Sequence, residues 1–184
     1  ELDLYFQTIH SPADAEGRVI VAATHRETVF EYMKFLDLVD IKPVAMGLES
    51  NALFECYSYF VYSGDENVIQ LDIGQNKTII NIIRDNKLLF TRCVPIGTGL
   101  IIKIIAAALK VPFSHAQEIF EGLRLDVSSY ETNLKKNNYR TQSIPKPKLK
   151  IIHSKSCDIV TDLIEQINIT LKSFSLVHGS CNFT

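Results

Sequence analysis

Leu71-Asp72-Ile73-Gly74-Gln75-Asn76-Lys77-Thr78 is the stretch on which the reading of this chain turns. It lies between two β-rich runs, Val68 to Ile73 and Thr78 to Ile83, so Gly74 to Lys77 reads as a hairpin turn. A carboxylate at a strand end followed by a glycine-bearing turn is one way a fold grips phosphate. Backbone N–H groups face the anion, glycine permits close approach, and the acid holds magnesium or its water. On that reading Asp72 is the metal ligand, and Gly74, Gln75 and Thr78 hold phosphate. An ordinary hairpin asks for the same residues, because its turn chemistry is the same. The surroundings have to decide.

Downstream, Leu88 to Val94 is a third strand, joined to the second by Arg84-Asp85-Asn86-Lys87, and Asp-Asn is good hairpin chemistry. Gly97-Thr98-Gly99 opens a helix, Leu100 to Lys110, which is apolar nearly all round and is expected to be buried. Ser114 and Gln117 form a capping box that starts a helix to about Leu123. Asp126 to Lys150 is polar, with Pro145 and Pro147, and reads as a loop or weak hairpin. Ser154 to Phe174 is a long helix with Ile159, Leu163, Ile167 and Leu171 in register. Ser175 to Ser180 reads as a strand running into a glycine turn.

Upstream, Glu1 to Ile9 alternates Leu2, Leu4 and Phe6 with polar neighbours, the pattern of a half-buried strand. His10 to Gly17 is a polar loop. Val19 to Ala23 is a continuous apolar run, expected for a strand covered on both faces. Thr24 and Glu27 make a capping box for a helix whose stripe is Val29, Phe30, Met33, Leu36 and Val39. Pro43 ends that element and Val44 to Leu48 reads as the next strand, giving a βαβ unit with parallel strands. A second helix runs from Ser50 to about Tyr59, with Ala52, Leu53, Cys56 and Phe60 on its apolar side. Ser63 to Asn67 is the clearest boundary.

Composition limits the function classes. The 184 residues are 46% hydrophobic and 22% charged, close to the globular average, which excludes wholesale disorder. A net charge of −2 gives no reason to expect nucleic acid as a partner. The longest apolar run, Cys93 to Ile102, is broken by Lys103 and is too short to span a bilayer. The start Glu1-Leu2-Asp3 has no basic or apolar leader segment, so a cytosolic, globular α/β chain is expected. Cys56, Cys93, Cys157 and Cys181 include no C-x-x-C pair, which speaks against zinc and fits a reducing compartment.

The order of these features, with Asp72-x-Gly74, Arg92-x-x-Pro95-Ile96-Gly97, a buried helix and then Ala116-x-Glu118, resembles the PilM family. These are actin-like proteins of type IV pilus assembly, with relatives in the cytoplasmic L component of type II secretion and in MSHA-pilus biogenesis. The likeness extends back through Val21-Ala22-Ala23-Thr24-His25-Arg26, Ile41-Lys42-Pro43-Val44, Glu49 and Ala52-Leu53. It extends forward to Leu176-Val177-His178-Gly179. Val19 to Leu123 is the specific part.

The resemblance implies an actin-like, RNase H-like ATPase fold that is incomplete, with its first lobe truncated. Residues 1–62 would be the C-terminal part of that lobe, and residues 63–184 most of the second. Family members are nearly twice as long and carry an earlier Asp-x-Gly loop, so a fragment is expected. Its uncovered sheet edge would invite a homodimer. The nucleotide site implied by the resemblance comprises Asp72, Gly74, Gln75, Thr78, Gly97 and the adenosine-side Gly179, with ATP and Mg2+ as its ligands in the full-length protein. This sequence departs from the family there. The glycine pair becomes Gly97-Thr98, Ala-Glu-x-x-Lys becomes Ala116-Gln117-Glu118-Ile119-Phe120, and Gly-Gly becomes His178-Gly179. The implied function is therefore a cytoplasmic scaffold at the inner membrane, without ATP turnover and with no catalytic residue assigned. It would dock the cytosolic N-terminal peptide of a bitopic inner-membrane pilus-assembly protein and couple it to the assembly ATPase. Two alternatives stand beside it, a working nucleotide-binding actin-like ATPase and an unrelated α/β binding module whose hairpin mimics the motif.

Other candidates carry less. His25, His115, His153 and His178 fall in different elements, with no legible Ser-His-Asp order. Cys56 reads as buried packing. Lys135, Lys136, Arg140, Lys146, Lys148 and Lys150 make a basic stretch, read either as a solvated loop or as a peripheral contact with an anionic membrane.

Overall fold

A computed structural model describes residues 2–9, 18–64, 67–122 and 144–179. The expected loop at His10–Gly17, and residues 126–143 of the one expected at Asp126–Lys150, lie outside those residues. In chain order the elements are β1 (Leu2–Ile9), β2 (Arg18–His25), α1 (Arg26–Leu38) and α2 (Glu49–Phe60). The meander β3 (Asn67–Ile73), β4 (Thr78–Arg84) and β5 (Lys87–Val94) follows, then α3 (Thr98–Leu109), α4 (Phe113–Gly122) and α5 (Lys146–His178). The chain divides into two compact units, one built on Glu1–Gln70 with Asn81–Thr91, the other on Leu71–Ile80 with Arg92–Cys181.

In the first unit β1 and β2 form a two-stranded antiparallel sheet running from Leu2 opposite His25 to Ile9 opposite Arg18. Thr24 is held in that ladder opposite Asp3, so it caps no helix. His25 takes the N-cap position of α1 without a side-chain hydrogen bond, and the expected Thr24–Glu27 box is one residue out of phase. The expected βαβ unit is absent as well. Residues 41–48 are irregular and Val44 is fully exposed, because Pro43 and Gly47 weaken a strand that has no described neighbour to pair with. The α1 stripe is half-buried at Val29, Met33 and Leu36, while Phe30 and Val39 are exposed.

The buried face of α2 is also displaced from expectation. Ser50, Asn51 and Tyr57 are buried, whereas Ala52, Cys56 and Phe60 are exposed. A polar network explains the shift. Asn81 on β4, fully buried, donates from Nδ2 to Ser50 O and to Gln70 Oε1, both at 2.9 Å, and Gln70 Nε2 donates to Leu53 O at 2.8 Å. Each bond satisfies a group that would otherwise be stranded away from water. Beside it Tyr57, Ile83 and Leu88 form a small core flanked by Phe54, Tyr62 and Val68.

The three strands read from the sequence are present as a sheet of order β3-β4-β5. The β4–β5 turn is made by Asp85 and Asn86, both at positive φ (49° and 53°), the left-handed pair that matches strand twist. In the second unit Ile101, Ile102 and Ile105 of α3 pack with Ala116 of α4 and Ile152 of α5. Only that face of α3 is buried; Leu100 and Lys103 are exposed. No single described helix is long and apolar enough to cross a membrane, and α3 with α4 reaches that composition only across a 110° bend.

Three expectations about the C-terminal part are corrected. α4 begins at Phe113, which places Ser114 inside its first turn, and Gln117 donates to Glu121 at 3.3 Å instead of reaching back. α5 starts at Lys146, eight residues before the expected Ser154, because Pro147 falls in the first turn where its missing N–H costs nothing. It also runs on to His178, so Ser175 to His178 are helical where a strand is expected. Within that end the Ser173 and Ser175 hydroxyls donate back to the carbonyls of Ile169 and Leu171, at 2.9 and 2.8 Å.

Candidate functional site

The candidate site is the turn between β3 and β4 together with the segment that leads into α3. The turn closes on itself through Gly74 N–H, which donates to Lys77 O at 2.9 Å. Beyond it, the first two N–H groups of α3 point at the turn: Thr98 N–H donates to Gly74 O at 3.0 Å and Gly99 N–H to Gln75 O at 2.8 Å. The Thr98 hydroxyl lies 3.4 Å from the same Gly74 oxygen. A helix N-terminus leaves its first donors without intrahelical partners, and here two carbonyls of the turn take them. Carbonyl oxygens also carry the partial negative charge that the positive end of a helix favours.

Glycine makes this approach possible. A Cβ on Gly97 would sit 2.5 Å from the carbonyl oxygens of both Gly74 and Gln75, and one on Gly99 would sit 2.7 Å from Gln75 O. These are backbone atoms, so they cannot swing aside. Thr78 completes the arrangement. It is fully buried at the first position of β4, and its hydroxyl donates to Ile96 O at 2.6 Å. Turn, strand start and helix start are thus bonded into one main-chain latch.

The structure brings Gly74, Gln75, Thr78 and Gly97 together. It does so with Gly74 N–H, the Thr78 hydroxyl and the first α3 amides all engaged within the protein. The tip, Gln75 and Asn76, is exposed. Asp72 is half-buried near the end of β3. Among the described residues no group of three His, Cys, Asp or Glu is arranged to hold a metal ion. Gly179 ends α5 at φ 78°, with open space where a Cβ would be.

Arg92, read only as part of the motif, ties β5 to α5. Its Nη1 donates to Thr170 Oγ1 at 3.1 Å and its Nη2 to Gln166 Oε1 at 2.8 Å. Thr170 is fully buried, and its hydroxyl donates to Gln166 O at 2.7 Å. Cys56 is exposed, not buried. Cys157 Sγ lies 3.8 Å from His153 Nδ1, a pair one helical turn apart on α5 that its spacing of four made readable. His115 lies 3.5 Å from Glu118 on the exposed side of α4. The Ile96 carbonyl and the α3 amides carry no side-chain signature, and only the glycines at positions 97 and 99 pointed to them.

Residues 1–134 match the sequence model of the family described as type IV pilus assembly protein PilM. No curated protein sequence matches the chain. Among solved structures, a chain of the PilM-PilN type IV pilus biogenesis complex superposes with a TM-score of 0.69 at 17% identity, over 95% of this chain and 46% of that one. This chain therefore spans less than half of that relative's length. Ethanolamine utilization protein EutJ from Carboxydothermus hydrogenoformans is similar over 54% of this chain and 31% of its own, at 22% identity and a TM-score of 0.34.

Proposed function

Because this chain belongs to the PilM family and carries its actin-like α/β fold, we propose that it is a scaffold component of type IV pilus assembly. The family match over residues 1–134 is the observation that carries this reading. It removes the alternative of an unrelated module with a mimicking hairpin. The partner we infer is a PilN-type inner-membrane protein, whose cytosolic N-terminal peptide the scaffold binds from the cytoplasmic side while coupling it to the assembly ATPase. The solved relative, a PilM-PilN complex, supports that choice of partner.

The latch supports a scaffold over a nucleotide engine. A phosphate cradle needs free N–H donors at the glycine turn and at the following helix, and here Gly74, Thr98 and Gly99 direct theirs to protein carbonyls. The Thr78 hydroxyl is likewise committed to Ile96 O. These residues fit a turn that positions α3 on the sheet. With those donors committed, we assign no chemical step to Asp72.

Co-expression of the chain with the PilN-type protein of the same genome tests the proposal. Co-purification that is lost when the cytosolic peptide of that protein is deleted is the expected result. Retention of the complex without that peptide would overturn the docking mode.

A further inference from the structure

We propose that the first three turns of α5 form a docking surface for an anionic phospholipid membrane. From Thr132 to Cys157 the sequence holds seven Lys and Arg and no Asp or Glu. The other 12 Lys and Arg share the rest of the chain with all 21 Asp and Glu. Positive charge is thus concentrated in one segment of a chain whose net charge is −2. The described part of that segment is helical from Lys146 onward, with Lys146, Lys150 and Lys155 exposed and Lys148 half-buried. No ion pair joins any of the four to a carboxylate among the described residues.

The helix is anchored by Ile152, which lies across the helix axis from Lys146 and Lys150. Ile152 is buried in the core formed with Ile101, Ile102, Ile105 and Ala116, so the exposed lysines project from a fixed base. Ile151 is half-exposed among them. This charge is unfavourable for the isolated helix on two counts. Cations oppose the partial positive charge of a helix N-terminus, and Lys146 with Lys150 is a like-charged pair one turn apart. An external layer of negative charge relieves both repulsions. The exposed lysines extend over about 14 Å of helix axis. They flank an exposed isoleucine and are not enclosed by walls, which suits a plane of headgroups better than a single phosphate. The inference is independent of the scaffold reading and adds a second contact surface to it.

Co-sedimentation of the full chain with vesicles tests it, comparing phosphatidylglycerol/phosphatidylcholine mixtures with phosphatidylcholine alone. The variant is Lys146→Glu/Lys150→Glu/Lys155→Glu. Acids suit a helix N-terminus, so the fold is expected to persist, and circular dichroism checks that it does. The control, Lys34→Glu/Lys42→Glu/Lys103→Glu, makes the same change of charge on exposed lysines elsewhere. The chain should bind the anionic vesicles and not the neutral ones, with binding weakened by added salt. Each lysine at such a surface strengthens binding about five-fold, so the α5 variant should lose roughly 100-fold or more and the control far less. Absence of binding to anionic vesicles, or equal losses in the two variants, overturns the proposal. So does binding to polyglutamate without binding to vesicles, which would assign the lysines to an acidic polypeptide.

Discussion

β4 and α1 are each more than half apolar, yet β4 buries six of its seven residues and α1 buries none. β4 lies between two strands, with Ile80 and Ile82 wholly out of water. α1 leaves Phe30, Phe35 and Leu38 at 57, 62 and 85% exposure. The difference teaches that an apolar residue stabilises only through the neighbours that cover it. Apolar side chains therefore carry very different weight in the two elements.

Substitutions can break that comparison. Ile80→Ala should cost about 2–5 kcal/mol in urea unfolding, because a fully buried isoleucine leaves a cavity. Gly97→Ala should cost roughly 1–3 kcal/mol, since its Cβ collides with two fixed carbonyl oxygens, whereas Gly47→Ala, with nothing within 4 Å, should be close to neutral. Thr78→Val keeps the shape but removes the bond to Ile96 O, and about 1–2 kcal/mol should be lost. Lys110→Gly should gain about 0.5–1 kcal/mol, because Lys110 ends α3 in the left-handed region at φ 59°. Leu38→Ala should change stability by less than about 0.5 kcal/mol. A loss at Leu38 equal to that at Ile80 would break the contrast between the two elements.

What was legible in the sequence follows the same division. The β3-β4-β5 meander and its two turns could be read because short apolar, β-branched runs bounded by turn residues, and Asp85-Asn86 above all, are local signals that no distant contact overrides. The helices could be read as helices, but their ends and faces could not. The α1 cap was misplaced because cross-strand pairing, a long-range fact, holds Thr24 in β2. The α2 face was misread because Asn81 draws Ser50 into the interior with a hydrogen bond, which no hydropathy pattern encodes. Val44 to Leu48 was read as a strand from its residues alone, although a strand exists only with a partner. At the candidate site the sequence located the turn and its glycines. It did not reveal that the donors would be used by main-chain carbonyls, because carbonyls are common to every residue.

Amide hydrogen exchange of Gly74, Thr98 and Gly99, followed by NMR with and without Mg-ATP, tests the latch most directly. Slow exchange at all three, unchanged by Mg-ATP, is the predicted result, since each N–H donates to a protein carbonyl. Exchange at the rate of an unprotected amide, or protection that appears only when Mg-ATP is added, would contradict it and return the turn to phosphate binding.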